Sequence, residues 1–141
     1  MTALIIYQGL EERFRTIPWL RNIILGEPTA AHELPCLYTG FDRAEFPLTN
    51  APPARNQNID TYFFLHRLMI RWQDNEAAEM QLITWLNDIP NAIRADPKLS
   101  GRLYGGIAHI SNGVSGFQTV GDTKYRIVDY TSKIIEKVGV S

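Results

Sequence analysis

The sequence predicts an α+β fold: one domain in which a mostly antiparallel sheet with long hairpins packs against an N-terminal helix and a central amphipathic helix. Three observations lead to this expectation. The chain has 141 residues, 45% hydrophobic and 21% charged, the size and composition of one ordinary globular domain. Two stretches, near residues 3–15 and 75–93, repeat apolar side chains at three- and four-residue spacing. A third, Ile59 to Trp72, alternates with a period of two and is bounded by turn-forming residues.

Taken in order, Leu4, Ile6, Tyr7, Leu10, Arg13 and Phe14 mark one face of a helix from about Ala3 to Arg15, with Glu11, Glu12 and Arg15 in water. Gly9 weakens that helix locally, and Pro18 closes the helical region. Trp19 to Leu25 reads as a short strand ending at Gly26-Glu27-Pro28, and Leu34 to Phe41 as a second. Residues 42 to 58 hold Pro47, Pro52 and Pro53 with Asn50, Asn56 and Asn58, so a long loop is expected there, on a partner surface more than in the core.

Ile59 to Trp72 is the clearest strand. Tyr62, Phe64, Leu68, Ile70 and Trp72 share one parity; Phe63, Leu65 and Met69 share the other with Arg67 and Arg71. Fully extended it would run about 46 Å, against a radius of gyration of about 14 Å for a domain of this size, so it must bend or overhang. Its edges, and those of the C-terminal hairpin, are therefore expected to contact other subunits.

Asp74 or Asn75 can cap the next helix, whose first turn carries Glu76 and Glu79. Met80, Ile83, Leu86, Ile89 and Ile93 form its expected inner stripe, widened by Leu82 and Trp85. Pro90 predicts a kink or a second short helix starting near Asn87-Asp88. Asp96-Pro97-Lys98-Leu99-Ser100-Gly101 is a turn; a strand follows from Arg102 to Ser111, and another from Lys124 to Glu136. Asn112-Gly113 and Gly121-Asp122 both read as turns. Phe117 to Val120 is either a short strand or the tip of one long hairpin.

The 14 Lys and Arg against 15 Asp and Glu give a net charge of −1, which removes the electrostatic excess that drives nucleic-acid binding. Met1 to Tyr7 lacks a basic region, and Glu11 and Glu12 interrupt the apolar stretch, so no signal peptide is expected and the cytoplasm is the expected compartment. No window is long and apolar enough for a membrane helix. Cys36 is the only cysteine, so no intrachain disulfide can form.

Chemistry-bearing constellations are sparse, and neither catalytic, cofactor-binding nor metal-binding residues are assigned. His32, His66 and His109 lie far from each other and from Cys36, without zinc-ligand spacing. His66 shares the parity of Phe64 and Leu68 and reads as a satisfied core histidine; Cys36 reads as a small buried hydrophobe. Glu76 and Glu79, or Asp88 and Asp96, are better explained by helix capping than by acid–base work. Gly101, Gly105 and Gly106 enter a strand and so serve turn or bulge geometry, not phosphate binding. The candidates for a partner interface are Arg43, Phe46 and Arg55 from the Pro-rich loop with Arg67 and Arg71 from the long strand, since arginine with aromatics suits protein contact.

Helix, two short strands, long loop, long strand, helix, turn and hairpin form an order similar to that of the tail terminator, or tail completion, proteins of long-tailed bacteriophages. The likeness is carried by Leu82 to Tyr130: the helix Ile83-Thr84-Trp85-Leu86-Asn87-Asp88-Ile89, the turn from Asp96 to Gly101, and the strand Tyr125-Arg126-Ile127-Val128-Asp129-Tyr130. The remainder matches in element order. The resemblance implies a homo-oligomeric ring, a hexamer, that sits on the last ring of the tail tube, stops its polymerisation and offers a surface to a head–tail joining protein. It implies no cofactor and no membrane, DNA only in passage through the lumen, and a place at the head-proximal end of the virion tail after assembly in the host cytoplasm. Two alternatives stand beside it: a head–tail neck or connector protein, and a small ligand-binding or enzymatic α+β domain with His66 or His109 facing a pocket.

Overall fold

A computed structural model describes residues 3–26, 33–46, 57–72, 75–103 and 105–139. The order is α1 (Ala3–Phe14), β1 (Asn22–Leu25), β2 (Cys36–Glu45), β3 (Gln57–Arg71), α2 (Asn75–Trp85), α3 (Asp88–Arg94), β4 (Ile107–Val120) and β5 (Thr123–Gly139). One five-stranded sheet, in the order β1-β2-β3-β5-β4, carries all the strands. Among the described residues, only the β1–β2 pair is parallel. The α+β class expected from the pattern is therefore the class found.

The helices lie on one face of the sheet. Ile6, Leu10 and Phe14 of α1, Leu82 of α2 and Ile89 and Ile93 of α3 join Leu37, Phe64, Leu68, Val128, Tyr130 and Ile134 in the main core. Gly9 is required by this packing. A Cβ there would stand 2.9 Å from that of Leu99, so a helix residue that weakens α1 by propensity lets it approach the turn before β4. That turn holds Leu99 and Ser100 at positive φ; Asp96 Oδ2 accepts from the Ser100 N–H at 2.8 Å, and Leu99 is fully buried. Packing thus over-determines a conformation costly for non-glycine residues.

Helix ends are satisfied across elements. Arg13 Nε donates to Ala92 O near the end of α3 at 2.9 Å, and the Tyr130 hydroxyl donates to Leu86 O just past α2 at 2.8 Å. Trp19 stacks on Trp85 with centroids 4.3 Å apart and donates its indole N–H to Asp88 Oδ2 at 2.7 Å. Pro90 is the third residue of α3, inside the first turn where a missing N–H costs no intrahelical bond. The second short helix expected there is present.

Several expectations are corrected. The strand expected from Trp19 to Leu25 is only the four residues of β1, Asn22–Leu25. β2 extends to Glu45 and β3 begins at Gln57, so the expected loop is shorter, and residues 47–56 lie outside the described residues. β3 is the central strand, paired with β2 on one side and with β5 along its full length on the other; the outer strands are β1 and β4. Asn112-Gly113 is not a turn: both residues pair with β5, immediately after a bulge between Ile110 and Asn112. Residues 102 and 103 belong to the preceding turn, and β4 runs on to Val120. Gly121-Asp122 makes the two-residue connection, with Gly121 at φ +61. On α1, Leu4 is exposed rather than inward.

On α2, Met80 and Ile83 are exposed, while Ala78 and Leu82 are buried. The helix is rotated relative to the expected stripe because apolar residues lie on nearly every side of it, and tertiary contacts choose among them. Small Ala78 faces the sheet, and Glu79 is drawn to Arg126, whose Nε donates to Glu79 Oε1 at 2.6 Å.

Candidate functional site: the open sheet face and its free edge

Among the described residues, no helix covers the sheet face opposite α1, α2 and α3. Alternation places Cys36, Tyr38 and Gly40 of β2, Phe63, Leu65, Arg67 and Met69 of β3, and Ile127, Asp129 and Lys133 of β5 on it. Cys36, Tyr38, Met69 and Ile127 form a small second core there, flanked by Ile24, Leu34, Val120 and Tyr125. Leu65, Ile107 and Val114 remain exposed.

Arg67 crosses this face. Its Nη2 donates to Asp129 Oδ2 at 2.8 Å and its Nη1 to Gln118 Oε1 at 3.1 Å, while the Tyr38 hydroxyl donates to the same Gln118 oxygen at 2.6 Å. One polar cluster therefore ties together β2, β3, β5 and β4. A cavity of about 250 Å³ opens beside it, lined by Gly26, Tyr38, Gly40, Leu65, Arg67 and Asp129. Its guanidinium is already committed to these partners, so the cluster braces the sheet and does not present a free cation.

The other interface candidates lie at opposite ends. Arg43 sits 3.9 Å above the Phe63 ring and pairs with Asp42 at 3.2 Å; Phe46 meets Tyr62 edge-on at 5.9 Å. Arg71 is exposed at the far end of β3, bordering a cleft of about 250 Å³ with Leu34, Pro35, Ala78, Gln81 and Trp85. Arg43 and Phe46 lie at the same end of the β2–β3 pair but on opposite faces, Arg43 against Phe63 and Phe46 against Tyr62; Arg67 occupies the middle of the open face, and Arg71 the other end of β3. Arg55 and His32 lie outside the described residues.

His66 is buried at 1% exposure, with Nδ1 2.8 Å from Thr39 Oγ1, Nε2 2.7 Å from Ser132 Oγ, and its ring edge-on to Phe14. Burial pushes its pKa down to about 3. It is a satisfied core histidine, as its parity suggested. Burial pushes the Cys36 thiol up to about 11, which suits a buried hydrophobe and not a nucleophile. His109 is exposed on β4. Among the described residues, no three His, Cys, Asp or Glu side chains are grouped as metal ligands, and no helix is long and apolar enough to cross a membrane.

Two features went unpredicted. At the hairpin tip, Lys124 Nζ lies 4.4 Å from the Phe117 ring centroid and 4.8 Å from that of Trp72, and the Arg126 guanidinium lies 4.6 Å from Phe117. The Arg126 hydrogen bond in turn holds the Glu79 carboxyl below its usual range. This stack joins the tip of the hairpin to α2 through the Arg126–Glu79 pair. Its members are scattered in sequence, so only the fold could reveal it.

The second is Glu136, 3% exposed on the helix face, with Oε2 unpaired among the described residues. Burial is the leading cause raising its pKa, and the cross-strand charge of Asp60 adds to this. A carboxyl raised on folding contributes stability fully below its unfolded pKa and loses it as pH rises through the folded value. Glu136→Gln is therefore expected to be more stable than the parent at pH 8 and closest to it near pH 4. Urea melts at the two pH values check this, and a variant less stable at pH 8 would refute it.

In comparisons with known proteins, no family model matches this chain and no curated protein matches it significantly.

Proposed function

We propose that this protein is a non-enzymatic assembly component, a tail terminator of a long-tailed bacteriophage, acting as a homo-oligomeric ring on the end of the tail tube. The observation that supports this most is the β4–β5 hairpin. From Ser111 to Ser115 β4 is exposed on both faces, yet its distal part is fixed by the Phe117 stack and by Gln118. A long strand anchored at its tip and laterally uncovered among the described residues is suited to association. The likeness of Leu82 to Tyr130 to tail terminators gives that element its context.

Termination requires two unlike faces, one binding the tube end and one refusing another tube subunit. A head-to-tail interface that closes into a ring supplies them. Six copies would place the joining-protein surface on the face away from the tube. Infection with the gene disabled is expected to give filled heads separate from tails of abnormal length, and purified protein should bind one end of such tails. Tails of normal length with heads that leak DNA would favour the neck or connector reading instead.

A further inference from the structure

β4 is the edge of the sheet opposite β1, and the direction of its unused backbone groups can be worked out. The Ala108 N–H donates to Pro97 O at 2.7 Å, so it points away from β5, and Ile134, opposite Ala108, directs its own groups toward β3. In an antiparallel ladder each residue directs both its N–H and its C=O toward one neighbour, and successive residues alternate. All even-numbered β5 residues therefore face β3. Beyond the bulge, those from Tyr130 to Lys124 lie opposite Gly113, Ser115, Phe117 and Thr119. These four β4 residues direct their backbone groups outward, where none has a hydrogen-bond partner among the described residues.

Exposed edges are normally guarded by charge, proline, a bulge or shortness. The inner part of β4 is covered by Pro97 and ends at the bulge. From Asn112 to Val120 there is no Lys, Arg, Asp, Glu or Pro. The other edge is only partly covered: β1 has four residues and pairs with Cys36 to Thr39, while the rest of β2, which carries a bulge with Asp42, Arg43 and Glu45, has no outer neighbour among the described residues. Its outward groups are those of Phe41 and Ala44, in phase with Thr39, whose C=O accepts from Gly26 N–H at 2.8 Å.

We propose that Asn112–Val120 is a strand-addition site for a second copy of this chain, which contributes the Gly40–Glu45 edge of its β2, unpaired on its outer side among the described residues. The proposal rests on the ring reading for the identity of the partner. Complementarity between the two edges favours a copy over a foreign strand. On the helix-side face the β2 edge presents Phe41 and Phe46, 54% and 64% exposed, where the β4 edge presents Gly113 and Ser115. Joining the edges continues the sheet and sets large aromatics beside small residues. The β2 charges meet no like charge on β4. Along the sheet β2 and β5 run one way and β3 and β4 the other, so copies of like orientation pair these edges antiparallel.

Proline at an outward-facing position removes an unused N–H and leaves the β4–β5 ladder intact. Ser115→Pro and Thr119→Pro are expected to melt within a few degrees of the parent and to weaken self-association about tenfold or more, read by light scattering on protein alone and on tail ends. Val114→Pro, whose N–H faces β5, should instead unfold the hairpin. A mixture of Ser115→Cys and Ala44→Cys proteins should give a covalent heterodimer with a short bis-maleimide. If both outward prolines associate like the parent, the proposal fails and the ring reading stands. Cross-linking of Ser115→Cys to itself alone would show two-fold β4–β4 pairing and overturn the assigned partner edge. A parent that neither self-associates nor binds tube ends would overturn both.

Discussion

Gly106→Ala is expected to lower the melting temperature by roughly 10 °C, because a Cβ at that position would lie 1.7 Å from Ile135 O and 2.6 Å from its carbonyl carbon. Neither atom belongs to a flexible side chain. The backbone of β5 or the turn before β4 must move, and the same turn receives the Lys98 ammonium at Gly106 O, 3.2 Å away. Overpacking of this kind costs about 3 kcal/mol, and each kcal/mol moves the midpoint by about 2–4 °C at this chain length. Gly116→Ala is the control: its Cβ would meet only Ile127 side-chain atoms at 3.7 and 3.8 Å, so the change should be within about 1 kcal/mol. Differential scanning calorimetry on both variants decides the matter, and equal melting temperatures would refute the close approach.

The second large effect is acid sensitivity set by His66. The neutral ring fits its site: Ser132 Oγ has Phe64 O at 3.5 Å to take its proton and can accept from Nε2–H, and Thr39 can donate to Nδ1. A histidine whose folded pKa is depressed contributes stability that is present above the unfolded value and is lost as pH falls toward the folded one. With an unfolded value near 6.5 and a folded value of about 3, the loss from pH 7 to pH 4 is roughly 3 kcal/mol. Glu136 acts with the opposite sign, so the informative quantity is the difference between the parent and His66→Gln. The glutamine variant should show a flatter decline over this window. Identical slopes for the two proteins would show that His66 is not the acid-sensitive group.

How much of this was legible in the sequence follows the range of the forces involved. β3 was readable because burial on the helix face imposes a strict period of two on Tyr62, Phe64, His66, Leu68 and Ile70. The break between α2 and α3 was readable because proline's missing N–H is a local fact. The rotation of α2 was not, since Met80 and Leu82 are equally apolar and only Ala78's approach and the Glu79–Arg126 pair choose between them. Asn112-Gly113 misled for a related reason. Its local turn preference is outweighed by continuous pairing of β4 with β5, and glycine is tolerated beside the Tyr130 ring, 3.2 Å from where a Cβ would sit.

The candidate site divides the same way. That Arg43 and Phe46 belong to an exposed surface could be inferred from composition, but the commitment of Arg67 to Asp129 could not, because the two residues meet only through the β3–β5 register. The free edge of β4 is least visible of all. It consists of backbone groups, which every residue type carries alike, and only strand order says which are spent.

That strand order also bears on synthesis. The middle of the sheet is the β3–β5 ladder, joining Arg71 to Tyr125 at one end and Gln57 to Gly139 at the other. Pairing so distant in sequence must close a large loop before it is rewarded, which slows folding. A nascent chain can form the α1 to α3 segments early, but β3 has only one neighbour until β5 has left the ribosome. Until then one side of β3 is a fresh, unpaired edge inside a polysome full of identical chains. A chaperone that shields extended segments is accordingly expected to matter most during translation of the stretch between β3 and β5.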